Sequence, residues 1–191
     1  QAGVVNANSQ GLASVTGTIE AAGNNGGAIS IQARAISQGG SVAANGLNQG
    51  GSVVLNAAGQ LSLAGTTSAN GELSLGVGGA ISYSAGSVLE TSSGVTLANG
   101  GARGGSISVA VAGNFVTSGT YQANASHSKK GFGGRIDISA NDVRLLSANL
   151  SAMGSAQGGL VRLGGEYQDG RTPDAAQSYY QDFIGRWSDL T

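Results

Sequence analysis

The chain has no cysteine and a single proline among its 191 residues. Without cysteine there is no disulfide framework, so an extracellular life would need another source of rigidity, such as a continuous stacked core. One proline beside 35 glycines excludes collagen, which needs strict Gly-X-Y with abundant proline. Charged residues make up only 10%, against roughly 25% in ordinary soluble domains. That scarcity excludes a highly charged disordered tail, and the net charge of −1 argues against a nucleic-acid surface, which shows a basic face. No apolar run reaches the roughly 18 residues a membrane-spanning helix needs. His127 is the sole histidine, so neither a histidine-based metal site nor an internally supported Ser-His-Asp triad is expected, and no cofactor is.

What is present is a recurring phrase. "GGSISVAVAG" begins at Gly104, and close variants begin at Gly26, Gly50, Gly78, Gly133 and Gly158, at intervals of 24, 28, 26, 29 and 25 residues. A period in this range marks an array in which one unit buries its apolar face only when a neighbour stacks on it. Hydrophobic residues, 40% of the chain, alternate with Ser, Thr, Asn and Gln, which is the strand period of two rather than the helix spacing. Each unit holds three such runs bounded by Gly, Asn or Ser, as in "SVVLNA", "AGQLSLAG" and "TTSANG" after Gly50. The expectation is an all-β fold, a right-handed parallel β-helix (β-solenoid) of about seven three-strand coils over residues 1–163. A propeller blade would need about 40 residues, and a sandwich does not predict a regular period.

In such a helix, equivalent strands stack about 4.8 Å apart and inward positions form columns. The first face should align Ile29, Val53, Ile81, Ile107, Ile136 and Val161, with Ile31, Leu55, Tyr83, Val109, Ile138 and Leu163 beside them. The second offers Leu61, Leu63, Val88, Phe115, Val143 and Leu145. The third offers Ile19, Val42, Leu97, Tyr121 and Leu150. A partial coil should precede Gly26, because "VVNANSQGLASVTGTIEAAG" aligns with "VVLNAAGQLSLAGTTSANG". Seven coils give a rod on the order of 35 Å long. Glycine at the corners is expected for positive φ or for close backbone approach.

The chain opens inside a repeat with "QAGVVNANSQ" and shows no signal peptide, which is expected of a segment of something longer. The glycine- and asparagine-rich three-strand repeats resemble the shaft of filamentous-haemagglutinin-like exoproteins, the large adhesins of bacterial two-partner secretion systems. The phrase from Gly158 to Phe183 is similar to one common in that family, through Gly164, Gly165, Glu166, Tyr167 and Gln168 and then Ala176, Gln177 and Tyr180. It departs with Asp174-Ala175, where the family often has a single Asn. The resemblance implies a secreted rod at the bacterial cell surface, threaded unfolded through an outer-membrane β-barrel transporter and folded coil by coil outside. It implies an adhesive, non-catalytic role toward polysaccharide or a host surface receptor. A spacer that holds a distal tip away from the cell is the bland form of this reading.

The alternative is a polysaccharide-processing β-helix enzyme, which would cluster carboxylates on one face. The nearest candidates are Asp137 and Asp142 with Arg135 and Arg144 in "GGRIDISANDVR"; Asp137, between inward Ile136 and Ile138, should point outward and pair across strands with Arg162. Sixteen of the nineteen charges and five of the nine aromatics fall late in the chain, the charges after residue 89 and the aromatics after residue 160. Residues 164–191 are therefore expected to pack on the solenoid or extend it, hiding edge strands. Candidate ligand contacts are Lys129 and Lys130, in a basic loop suited to an anionic polysaccharide, and Tyr179 and Trp187, whose rings suit sugar stacking.

Overall fold

The computed structural model describes residues 3–127 and 129–164. Every strand pair is parallel, and each strand meets the equivalent strand of the next repeat. The result is a β-solenoid of six complete coils, spanning 4–20, 28–43, 52–68, 80–97, 106–122 and 135–151, with a further coil begun by Leu160–Leu163. Six coils and the start of another within the described residues agree with the expectation of about seven. The expected capping or extending segment, 164–191, lies outside the described residues except for Gly164.

The first face carries the glycine-led strands, among them Ala28–Ala33, Ser106–Val111 and Arg135–Ser139. In the third and fourth coils the first and second faces are one continuous strand, Ser52–Leu63 and Ala80–Glu90, whose shared register breaks between Ala85 and Ser87. The third face is a sheet of six short strands, from Thr18–Glu20 to Asn149–Ser151.

The register aligns Ile29, Val53, Ile81, Ile107, Ile136 and Val161, and beside them Ile31, Leu55, Tyr83, Val109, Ile138 and Leu163, as the alternation predicts. These side chains are sealed except in the last coil. Each fully buried aliphatic stabilises the fold by about 1.5–3 kcal/mol relative to exposure. Phe115 and Tyr121 meet edge to face in the fifth coil, ring centroids 6.2 Å apart, an arrangement that adds to simple burial.

Three expectations shift. The first coil is out by one residue: Val5, not Val4, lies against Ile29, and Ala13, not Leu12, lies against Ile36. Val4 and Leu12 are accordingly exposed. In the third-face column Thr96, not Leu97, stands between Thr67 and Tyr121, and it is held there because its hydroxyl and that of Tyr83 bond at 2.9 Å. The second inward column of the second face is not wholly apolar either. It runs Val15, Gln38, Leu63, Glu90, Thr117 and Leu145.

One corner is stitched by an asparagine ladder. The side-chain oxygen of Asn45 accepts the backbone N–H of Asn70, that of Asn70 accepts Asn99, and that of Asn99 accepts Asn124, each at 2.8 Å. Asn124 passes the pattern to the Met153 N–H at 2.7 Å. An N–H that the strands leave unpaired is thereby satisfied in each of the third to sixth coils.

Candidate functional site

The glycine doublets mark the corner where the third face returns to the first. Two constraints demand glycine there. A Cβ on Gly50 would lie 2.1 Å from the Ala69 carbonyl oxygen, and one on Gly51 would lie 2.0 Å from that of Gly27 in the coil below. Meanwhile the Gly50 N–H donates to Val77 and the Gly51 N–H to Ala44, at 2.9 and 2.6 Å. Close backbone approach, not positive φ, is the reason: among the described residues the left-handed glycine is Gly164, at φ 103°.

Stacking these side-chain-free corners produces a groove of about 1120 Å³ parallel to the axis, running from Asn25 to Leu160. One rim is formed by residues that precede a doublet, Asn25, Gln49, Arg103, Phe132 and Gln157; from Gln49 on, these follow one another as single parallel bridges, with Val77 between Gln49 and Arg103. The other rim is the residue that follows, from Ala28 through Ser52 and Ser106 to Arg135. The Arg103 guanidinium lies over the Phe132 ring, 5.6 Å from its centroid, a cation–π contact that fixes both side chains at the groove mouth. Phe132 is 40% exposed there. No acidic side chain lines the groove among the described residues. The arrangement offers amide and guanidinium donors beside an open aromatic ring, suited to a long chain rich in hydroxyl and oxygen acceptors.

The loop before Phe132 holds the two lysines picked out by the sequence. The backbone N–H groups of Lys129 and Lys130 both donate to His127 Nδ1, at 3.3 and 3.2 Å, which gives the histidine a turn-forming role. The loop is tied to the next coil through Ser155, whose hydroxyl donates to the His127 carbonyl at 2.6 Å and accepts the Gly131 N–H at 3.0 Å. Lys129 and Lys130 are exposed, and the chain runs from them directly into the groove rim at Phe132. Tyr179 and Trp187 lie outside the described residues.

Asp137 and Asp142 are each engaged by arginine. Asp137 sits opposite Arg162, as its outward position predicts, and accepts from Arg162 Nε at 2.6 Å and from Arg135 Nε. This carboxylate raises the pKa of Arg135 and tethers its guanidinium at one groove rim. Asp142 accepts from Arg144 Nε at 2.8 Å. Among the described residues no three His, Asp or Glu side chains gather to hold a metal ion, and no helix is long and apolar enough to cross a membrane.

The rim residues Arg103 and Phe132 escape sequence reading, because only the stacking of coils brings them together. Their signal is positional: each immediately precedes a glycine doublet. Comparison of the chain with protein-family models, with curated proteins and with solved structures finds no match.

Proposed function

We propose that this chain is a length of a secreted, surface-displayed bacterial adhesin of the filamentous-haemagglutinin-like kind. Its axial groove and the adjoining Lys129–Lys130 turn are the adhesive surface, and the partner is a linear polysaccharide of a biofilm or host surface. The observation that carries this reading is the axial groove, which repeats the glycine-doublet corner at the coil spacing and carries an exposed aromatic ring beside guanidinium groups in its last third. A periodic surface matches a periodic polymer. A chain without cysteine can thread unfolded through an outer-membrane β-barrel transporter and grow by addition of coils, since each coil contacts only its neighbours.

The test is affinity electrophoresis of the purified chain through gels containing neutral or anionic linear polysaccharides, with release of new reducing ends followed in parallel. The reading predicts retardation without release, and a loss of about tenfold in affinity, roughly 1.4 kcal/mol, in Phe132→Ala and in Arg103→Ala. Retardation unchanged in both variants would remove the groove from the account. Release of new ends would favour a processing enzyme, and the search for its acids would begin at Asp137 and Asp142.

A further inference from the structure

Glu90 is the one acidic residue of the core among the described residues, 3% exposed. It occupies the inward column of the second face between Leu63 and Thr117. Its Oε2 accepts the Thr117 hydroxyl at 2.5 Å, and that hydroxyl oxygen in turn accepts the Gly119 N–H at 2.9 Å. Its Oε1 and the buried Tyr121 hydroxyl make no hydrogen bond of ordinary geometry. Burial has the larger effect on the carboxyl's pKa and raises it, while the phenol lies near enough to lower it in part. No cation from any packed element reaches it among the described residues. The titratable groups that face it are Tyr83 and Tyr121, both phenols pushed up by burial and therefore neutral.

The corner beside this carboxyl differs from its neighbours. From the column residue to the start of the third face takes three steps in the second, third and fifth coils: Gln38 to Ser41, Leu63 to Thr66 and Thr117 to Thr120. From Glu90 to Val95 it takes five. The enlarged turn is closed by the Gly94 N–H to Thr91 carbonyl bond at 3.0 Å and by the Thr91 and Ser93 hydroxyls at 2.8 Å. Thr91, Ser92 and Ser93 are exposed. The carboxyl lies directly beneath: a Cβ on Gly94 would meet Glu90 Oε1 at 2.5 Å, and one on Gly119 would meet Glu90 Cδ at 2.4 Å. A lone glutamate is therefore stored where two glycines make room for it, under a turn two residues longer than those of the second, third and fifth coils and one longer than the Leu145-to-Asn149 turn of the sixth.

We propose that Glu90 and the Thr91–Gly94 turn form a proton-operated latch in the solenoid wall. With its proton, the carboxyl stays inside and the corner is closed. Without it, the carboxylate moves out past Gly94 to reach water, and the contact between the fourth and fifth coils at that corner loosens. The direction of coupling follows from burial, which raises the carboxyl's pKa above the ordinary carboxylate range. An acid held more tightly protonated in the folded state contributes full stability below its ordinary pKa. That stability is lost as pH rises through the raised one.

The experiment compares the chain with Glu90→Gln from about pH 5 to about pH 9, above the ordinary glutamate pKa. It reads urea midpoints and the exchange of individual amides corrected for intrinsic base catalysis. The latch predicts that the wild-type midpoint falls across this range while that of Glu90→Gln stays level. Exchange at Val95, Ser118 and Thr120, whose N–H groups close this corner, should accelerate with pH in the wild type alone, while Ser41 on the same corner two coils away does not change. Parallel profiles for the two proteins would overturn the proposal, as would acceleration at Ser41 equal to that at Val95. Should Glu90→Gln fail to fold, infrared titration of the wild type decides: a buried carboxyl band persisting above the ordinary range supports the latch, and its absence refutes it.

Discussion

Replacing Asn70 with alanine removes one rung of the corner ladder and leaves the rungs beside it intact. Asn70 donates its backbone N–H to Asn45, a bond the substitution keeps, and accepts the Asn99 N–H on Oδ1 at 2.8 Å, a bond it destroys. The loss has two parts. An ordinary intramolecular hydrogen bond contributes about 1 kcal/mol net, and a donor left without a partner costs about 1–3 kcal/mol when fully buried. The site is half-buried, so water meets part of that second cost, and the expected destabilisation is about 1–2 kcal/mol. With a urea slope of about 2 kcal/mol per molar, the unfolding midpoint falls by roughly 0.5–1 M. Asn70→Asp keeps an acceptor at the same place and should hold most of the midpoint. Hydrogen exchange at the Asn99 amide reads the same rung locally, faster in Asn70→Ala and near wild type in Asn70→Asp. An alanine variant as stable as the wild type, or an aspartate variant that loses as much as alanine, would refute the ladder as a stabilising device.

Gly79→Ala places a Cβ 2.0 Å from the Gly51 carbonyl oxygen; because backbone must move, a loss of more than about 3 kcal/mol is expected, seen as a collapse of the denaturation midpoint. Asp137→Ala removes an outward pair that links Arg135 and Arg162. Both arginines are about half exposed, so the change should shift stability by less than about 1 kcal/mol while freeing the Arg135 guanidinium at the groove rim, which should tighten retention on anionic polysaccharide.

The first-face columns were legible because two signals coincide there: the glycine doublet fixes the phase, and alternation then says which residues point in. Where the anchor is missing the phase slips, as in the first coil, where the adjacent valines Val4 and Val5 allow two registers and no doublet chooses between them. Leu97 misleads for a different reason. Leu97 is the aliphatic neighbour of Thr96, and alternation alone favours it for the inside; Thr96 is tolerated there because Tyr83 satisfies its hydroxyl. Nothing in the sequence marks Glu90 as buried, since its burial depends on Thr117 one coil away, 27 residues along the chain. The groove is a property of stacking alone. No single repeat contains it, and neither Arg103 nor Phe132 is distinctive until the parallel register sets one above the other.

Groove, ladder and latch all rest on in-register parallel stacking, and the absence of cysteine makes that directly measurable. Gln32 and Ser139 are exposed and occupy the same position four coils apart, connected through Asn56, Ser84 and Ala110. Spin labels on Gln32→Cys and Ser139→Cys report their separation by pulsed dipolar spectroscopy. Four steps of about 4.8 Å predict a narrow distribution centred near 19 Å, widened by a few ångströms for the label arms. A broad distribution, or one centred beyond about 30 Å, would contradict the stacked solenoid.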